Sequence, residues 1–360
     1  MPKWLRTLAL PVVAFALVAS ACGSDDDNAG GTTGASGSGA ECNSDIKVGL
    51  ALDVGGRGDK SFNDAAYAGM QKAIEDGLVC EENTKFIEAN ATGSDRDANV
   101  QALADDGYDL VVGVGFAFSE GIAGIVEDYP DQNFAVVDGY STTIATDATN
   151  LADLTFKEQE GSFLVGAAAA LKCQCDTIGF LGGQTGPLIG KFEAGYTAGA
   201  KAVNPDINVL VEYIGDDVGA FNDAVKGEAL STKMYDEGAE IVYHAAGASG
   251  AGLFNAAVKA DKLAIGVDSD QYLTASAEQQ PLILTSMLKR VDTAVYNAIQ
   301  QTGAGNFKSG FQVFGLAEEG VDYSKSNTEE MTDDIITKVD EYKQQIIDGT
   351  ITVPEDPKDA

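Results

Sequence analysis

The chain has 360 residues, of which 56 are acidic and 23 basic, and its formal net charge is −33. Such acidity argues against nucleic acids and anionic lipid surfaces as binding partners, because both would repel the protein. The acidic residues are spread along the chain rather than grouped, which is typical of a solvated acidic surface.

The N-terminus has the pattern of an export signal. Lys3 and Arg6 precede an apolar run, residues 8–19, that is too short to cross a bilayer as a helix. The run ends on Ala19-Ser-Ala-Cys22, and small residues before a cysteine resemble the processing site of bacterial lipoproteins. We therefore predict a signal peptide over residues 1–22 and a lipid on Cys22. An ordinary secretion signal, cleaved nearby, is the alternative.

The segment after Cys22 predicts a flexible tether. Residues 23–40 are almost entirely Gly, Ser, Thr, Ala, Asp and Asn, so they cannot bury enough apolar surface to offset the entropy of ordering. We place the tether at residues 23–44. No later apolar run approaches the length of a membrane span. The sequence thus predicts a protein held by its lipid on the extracytoplasmic face of the cell membrane.

Four further cysteines are present. Cys42 precedes the first predicted strand and Cys80 the second, and neighbouring strand starts would bring the two thiols together, so we predict a Cys42–Cys80 disulfide. A bridge between Cys173 and Cys175 would close a very small, strained loop. No metal site and no cofactor are predicted, because the chain's only histidine lies far from any cysteine pair in sequence.

The body of the chain alternates short apolar strands with helices. A first series has strands 46–52, 85–89, 110–114 and 134–137 with helices 62–76, 98–105 and 119–127. A second series has helices 160–172, 187–202, 224–237 and 253–260 with strands 177–181, 208–213, 241–243 and 263–267. A strand at 282–285 and helices at 291–301 and 333–347 follow.

This alternation predicts an α/β protein with two doubly wound, parallel-sheet lobes joined by a hinge. We place lobe 1 at residues 45–150 plus about 268–305, and lobe 2 at residues 151–267 plus about 306–352. The chain would then cross between the lobes about three times.

Ligands of open α/β sheets bind at the carboxyl ends of the strands, and polar residues gather there. Asp53, Asp138 and Asp268 each follow or end a predicted strand, and Lys289 follows a later one. A carboxylate such as Asp268 can accept hydrogen bonds from two neighbouring hydroxyls, while Lys289 or Asn63 donates to a hydroxyl oxygen. Helix capping and turn chemistry could explain one of the aspartates, but three at strand ends favour a polar site.

Two aromatic residues stand in loops near the same edge. Phe62 and Phe221 have no evident core to enter, and two facing rings would stack a flat base from both sides. The alternative is that each ring plugs its own helix into its lobe. No nucleophile elbow, Walker-type loop or metal-ligand spacing accompanies these residues, so an enzyme is not predicted.

Several motifs together resemble those of one family. They are Asp59-Lys-Ser-Phe-Asn63, Gly182-Gly183, Phe192-Glu-Ala-Gly195, Lys226-Gly227, His244-Ala-Ala-Gly247, Gly266-Val-Asp-Ser-Asp270, Thr285-Ser-Met-Leu-Lys-Arg290, Ile347-Asp-Gly349 and Val353-Pro354. The chain is similar, over about residues 45–355, to the basic membrane protein family of substrate-binding lipoproteins, which includes purine nucleoside receptors of ABC importers.

The resemblance implies a type I periplasmic-binding fold, a closing cleft, a nucleoside ligand and an ABC transporter permease as partner. Phe62 and Phe221 match the base-stacking pair, and Asp268 and Lys289 the pair that contacts the ribose. The implied further lining positions are Asn63, Asp53, Asp138 and Gly247. We expect a monomer. A sugar- or autoinducer-binding protein of the same fold is the main alternative, and an adhesive surface protein or a nucleoside hydrolase are others.

Overall fold

The computed structural model describes residue 42 and residues 44–173 and 175–360. The predicted signal peptide, Cys22 and the predicted tether, apart from residues 42 and 44, lie outside the described residues. The described part contains two six-stranded sheets with helices on their faces. None of the helices in this part has both the length and the apolar character needed to cross a bilayer.

The first sheet is entirely parallel. Its strands run, from one edge to the other, in the order β11 (Gly310–Phe314), β5 (Leu151–Phe156), β4 (Asn133–Val137), β3 (Leu110–Val114), β1 (Val48–Leu52) and β2 (Thr84–Glu88). The central strands β1 and β3 are buried at every position. Their sequences, VGLAL and LVVGV, are continuously apolar because helices cover both faces of a parallel sheet.

The second sheet repeats this plan. Its order is β12 (Val321–Tyr323), β10 (Ile283–Lys289), β9 (Leu263–Asp268), β8 (Ile241–Ala245), β6 (Thr177–Gln184) and β7 (Asn208–Gly215). Only the short β12 is antiparallel among the pairs described in this sheet. The carboxyl ends of the parallel strands in each sheet therefore lie along one edge.

Helices cover both sheets. They are α1 (Phe62–Glu75), α2 (Arg96–Asp105), α3 (Ser119–Ile125), α4 (Glu158–Cys173), α5 (Pro187–Val203), α6 (Ala224–Asp236), α7 (Gly250–Ala260), α8 (Val291–Gly303) and α9 (Asp333–Ile347). Helix α1 packs on α8 beside the first sheet, whereas α4 packs on α5, α9, β10 and β12 beside the second. All predicted strands and helices are present within a few residues, whereas β5, β11 and β12 were not predicted.

The two sheets define two lobes whose limits differ from those predicted from sequence. Leu151–Phe156, predicted to open lobe 2, pairs with β4 in the first sheet. Ile283–Lys289, predicted for lobe 1, pairs with β9 in the second sheet, and β11 returns to the first. Three crossings result, after β5, β10 and β11. The prediction of the limits was wrong because apolar periodicity marks a strand without showing which distant strand will hydrogen-bond to it.

Both cysteine pairs form disulfides. The predicted Cys42–Cys80 bridge is confirmed, with Cα atoms 5.5 Å apart. It forms because β1 and β2 are parallel neighbours whose amino ends start side by side. Cys173 and Cys175, at the end of α4, are also bonded to each other, although the small size of that loop argued against it.

Candidate functional site

A cleft lies where the carboxyl ends of both sheets meet. The space in it that the centre of a water-sized molecule can reach is about 80 Å³. Every residue predicted from sequence to bind a ligand lines its wall: Asp53, Phe62, Asn63, Asp138, Phe221, Gly247, Asp268 and Lys289. The two lobes contribute equally to this set, so a ligand in the cleft would touch both.

Two aspartates occupy equivalent places in the two lobes. Asp138 follows β4 and Asp268 ends β9, and both backbones are left-handed, with φ of +60° and +64°. Non-glycine residues rarely adopt this region, although aspartate tolerates it better than most. Such strained positions persist where the surrounding structure determines them, and they cluster at functional sites. Here the turn directs each carboxylate into the cleft.

Lys289 is the centre of a buried ionic network at the end of β10. Its side chain is 2% exposed, and its Nζ lies 2.7 Å from Asp138 Oδ2 and 3.1 Å from Glu158 Oε1. The first of these ion pairs joins the two lobes. Burying an ammonium is unfavourable unless it is paired and hydrogen-bonded, and these carboxylates supply that compensation.

Aromatic rings enclose the same ammonium. Nζ of Lys289 lies 5.2 Å from the ring centre of Phe62, 5.0 Å from that of Phe156 and 5.4 Å from that of Phe192. These distances are within the range of cation–π attraction. The rings and carboxylates together fix one orientation of the lysine, so the donor it presents to the cleft is preorganised.

Burial raises the pKa of two cleft aspartates, Asp138 and Asp268. The pKa of Asp268 is raised to about 6 by burial, although Lys289 and a hydrogen bond from Ser61 act to lower it. Burial also raises the pKa of Asp138, and the charge of Glu158 adds to this while Lys289 opposes it. The carboxylates raise the pKa of Lys289 above its usual value despite burial, so the lysine stays charged.

A second polar group lies beside the first strand. Asn63 Oδ1 accepts from the Asp53 backbone amide at 2.9 Å, and its Nδ2 donates to Asp59 Oδ2 at 3.0 Å. Arg96 Nε donates to Asp53 Oδ1 at 2.7 Å. Burial raises the pKa of Asp53, and Arg96 opposes this. These partners hold Asp53 and Asn63 in fixed orientations at the cleft wall.

The two predicted stacking rings come from opposite lobes. Phe62 begins α1, and Phe221 lies in the short turn Val218–Asn222 after β7. Both are partly buried at the cleft. Gly183 lets the Phe221 ring pack closely against β6, because a Cβ there would come within 2.4 Å of the ring. This explains why a Gly-Gly pair ends the apolar part of that strand.

A family model described as "ABC transporter substrate-binding protein PnrA-like" matches residues 46–357. The chain belongs to this family, named Bmp. That match confirms the resemblance read from the motifs and shows a substrate-binding protein of the ABC transporter class rather than an enzyme.

Relatives of this Bmp-family protein match it over nearly their whole length. The "CD4+ T-cell-stimulating antigen" of Listeria innocua is 36% identical, covering 98% of this chain and 99% of its own. The "ABC transporter nucleoside-binding protein BmpA" of Lactococcus lactis is 34% identical, covering 97% and 99%. A solved ABC transporter solute-binding protein from Aeropyrum pernix is 29% identical, with a TM-score of 0.74 over 87% of this chain and 95% of its own. The periplasmic-binding fold predicted from sequence is confirmed.

Three residues of this Bmp-family protein that line the cleft or hold its lining residues were not predicted from the sequence. Glu158, which pairs with Lys289, follows the unrecognised strand β5 and opens α4. Phe192 appeared only as part of a motif, because an aromatic residue on an amphipathic helix is usually assigned to the hydrophobic core. Arg96, which holds Asp53, lies 43 residues further along the chain, and no local pattern connects the two.

Proposed function

We propose that this protein captures a nucleoside, preferentially a purine nucleoside, in the cleft between its lobes and delivers it to an ABC importer. The observation that carries the proposal is the combination of aromatic faces from both lobes with Asp268 and Lys289 in one cavity. Rings suit a flat base, and a carboxylate beside an ammonium suits the vicinal hydroxyls of a ribose. The Lactococcus relative is named as a nucleoside-binding protein, which supports this proposal.

The charges in the cleft favour a nucleoside over a nucleotide. Five carboxylates lie in or beside the cleft wall, those of Asp53, Asp59, Asp138, Glu158 and Asp268. Three cations accompany them: Lys289, Lys191, which pairs with Glu158, and Arg96, which pairs with Asp53. A phosphate would meet more negative than positive charge in a poorly solvated space, which raises its free energy of binding. A neutral ligand with hydroxyl donors meets no such repulsion.

A thermal melt with added ligands tests the proposal. Adenosine, guanosine, inosine, uridine and cytidine are each added in excess to the purified protein, with adenosine monophosphate and ribose alongside. A ligand that binds only the folded state at about 100 times its Kd adds about 2.7 kcal/mol to the free energy of unfolding. We expect a rise in Tm with purine nucleosides and none with the monophosphate. If no nucleoside raises Tm, the proposal is wrong.

The stacking rings distinguish a nucleoside from a sugar. We expect Phe62→Ala and Phe221→Ala each to weaken nucleoside binding by about 10-fold or more, since base–aromatic stacking contributes roughly 1–3 kcal/mol. Isothermal titration calorimetry measures this, and Phe311→Ala on the exposed β11 is a matched control. A ligand whose Kd is unchanged in both ring variants is held by its sugar alone, as in the alternative function of a sugar-binding protein.

We further propose attachment to the outer face of the cell membrane through a lipid on Cys22. The support is the apolar run that ends on small residues before this cysteine, together with the Gly- and Ser-rich segment that follows. Mass spectrometry of the mature N-terminus from a bacterial host should find a diacylglyceryl cysteine. A free N-terminus at another residue would favour an ordinary secretion signal.

A further inference from the structure

Two loops from opposite lobes meet beside the cleft. We name residues 59–61, which precede α1, the strap, and residues 269–274, which follow β9, the docking loop. The Lys60 carbonyl of the strap accepts hydrogen bonds from Ser269 Oγ at 2.8 Å and from Gln271 Nε2 at 3.1 Å. Lys60 Nζ donates to the Thr274 carbonyl at 2.9 Å. One residue of lobe 1 is thus held by three residues of lobe 2.

Gln271 is the buried member of this contact, and its orientation is determined by its partners. It is 4% exposed. Its Oε1 accepts from the Val267 backbone amide at 2.9 Å, and its own backbone amide donates to Ser286 Oγ at 3.1 Å. A backbone amide can only donate, so the side-chain oxygen must face Val267 and the NH2 must face the Lys60 carbonyl.

His244 fixes the same side chain from inside lobe 2. Its Nε2 lies 2.9 Å from Gln271 Oε1, and because that oxygen only accepts, Nε2 carries the proton. The ring is fully buried, with an edge contact to Phe254 at 5.4 Å between centres. Burial lowers the pKa of His244 to about 4, so the ring is neutral at physiological pH. The chain's only histidine therefore has a structural partner in the docking loop rather than a reactive one.

We propose that Gln271, oriented by His244, is a positioning residue that holds the strap, and with it Phe62 and Asn63, in the closed arrangement. This rests on the proposed function, because Phe62 and Asn63 are ligand residues only if the cleft binds a nucleoside. The strap runs directly into these two residues, and its Ser61 hydroxyl donates to Asp268 in the other lobe. Gln271 touches the strap backbone and not the cavity wall, so it stabilises closure whatever base occupies the cleft.

A contact of this kind acts on ligand release. A ligand enters an open cleft, where the hydrogen bond to Lys60 is not yet made, and leaves only after that bond breaks. Loss of a buried hydrogen bond should raise koff by about 5- to 10-fold and leave kon nearly unchanged. The increase in koff should be by the same factor for every nucleoside that binds, since the hydrogen bond between Gln271 and Lys60 does not involve the ligand.

Three variants test the proposal. Gln271→Met keeps the side-chain volume and removes the donor, although it also leaves Val267 and His244 without their acceptor. Ser269→Ala removes the second donor to the same carbonyl from an accessible position and disturbs no buried group. Gln132→Met is the matched control, because Gln132 Nε2 donates to the Ala104 carbonyl at 2.9 Å within lobe 1 and contacts neither the strap nor the docking loop among the hydrogen bonds of the described residues.

Stopped-flow binding of adenosine and inosine gives kon and koff, and small-angle X-ray scattering without ligand gives the radius of gyration. We expect Gln271→Met and Ser269→Ala to raise koff by the same factor for both ligands and to increase the ligand-free radius of gyration, while Gln132→Met changes neither. Unchanged koff and scattering in both docking-loop variants would overturn the proposal, as would equal effects in Gln132→Met. If the wild-type protein binds no nucleoside, the proposed function fails, and scattering alone still decides whether these residues hold the lobes together.

Discussion

Replacing Asp268 with asparagine is expected to weaken nucleoside binding by about 100-fold. Hydrogen bonds to a charged acceptor contribute roughly 1.5–3 kcal/mol each, and a carboxylate at this position would accept two from the ribose. Asparagine keeps the size of the side chain and tolerates the left-handed backbone that Asp268 adopts, with φ of +64°. The substitution therefore removes charge and one acceptor without straining the turn. Calorimetric titration with adenosine measures the change in Kd.

Asp261→Asn is the matched control for this substitution. Asp261 is also left-handed, with φ of +52°, and belongs to the same lobe, but it is exposed at the end of α7. We expect its Kd for adenosine to equal that of the wild type, and both variants to unfold at similar temperatures. If Asp268→Asn binds adenosine as tightly as Asp261→Asn does, Asp268 is not the hydroxyl-binding residue.

Replacing Lys289 with methionine is expected to destabilise the protein by about 3–5 kcal/mol at pH 7.5, because breaking a buried pair leaves uncompensated charge. Asp138, at 5% side-chain exposure, would then lose its ion pair, and Glu158, at 1%, would keep only Lys191, whose Nζ lies 3.3 Å from its Oε2. Urea unfolding followed by circular dichroism gives the free energy of unfolding. Adenosine binding should be lost as well, since Lys289 is the proposed donor to the ribose.

The loss of stability should shrink as the pH falls. A carboxyl whose pKa is higher in the folded protein than in the unfolded chain takes up a proton on folding, so stability rises as pH decreases through the folded pKa. Burial already raises the pKa of Asp138 with Lys289 present, and removal of the ammonium raises it further. We therefore expect Lys289→Met to be much closer to wild type at pH 5 than at pH 7.5.

Lys262→Met is the control for the ionic network. Lys262 pairs with Glu240 in the same lobe, but the two side chains are 31% and 46% exposed. Surface pairs of this kind contribute at most about 1 kcal/mol, and water screens their charges. A small effect of Lys262→Met with no pH dependence, beside a large pH-dependent effect of Lys289→Met, would support a stabilising role for the buried ion pairs of Lys289. Equal effects of the two substitutions would contradict it.

Local pattern in the sequence was sufficient for most of the fold. Continuously apolar β1 and β3 could be recognised as buried parallel strands, and the neighbouring starts of β1 and β2 predicted the Cys42–Cys80 bridge. Strand β5 was not recognised, although it is largely buried, because its sequence LADLTF carries a polar Asp153. That carboxylate accepts hydrogen bonds from the backbone amides of Ser141 at 3.0 Å and Thr142 at 2.8 Å. These partners cannot be identified from the sequence of the strand alone.

Most residues of the candidate site could be predicted because the topology of a parallel sheet places the carboxyl ends of its strands close together. Asp53, Asp138, Asp268 and Lys289 each stand at or after the carboxyl end of a strand, and a parallel sheet brings such positions to one edge whatever the details of packing. The sequence by itself therefore determined an α/β protein with two lobes, a polar cleft at its strand ends and membership of a substrate-binding family.

The tertiary structure alone decided how the lobes exchange strands and which charges meet. Strand β10 joins the second sheet, which sets Lys289 against Asp138 of the first lobe and Glu158 of α4. The strap reaches Gln271 across 211 positions of sequence. Hydrogen bonds and ion pairs form between groups that are near in space, and residue spacing in a chain carries little information about distances created by strand pairing between remote segments.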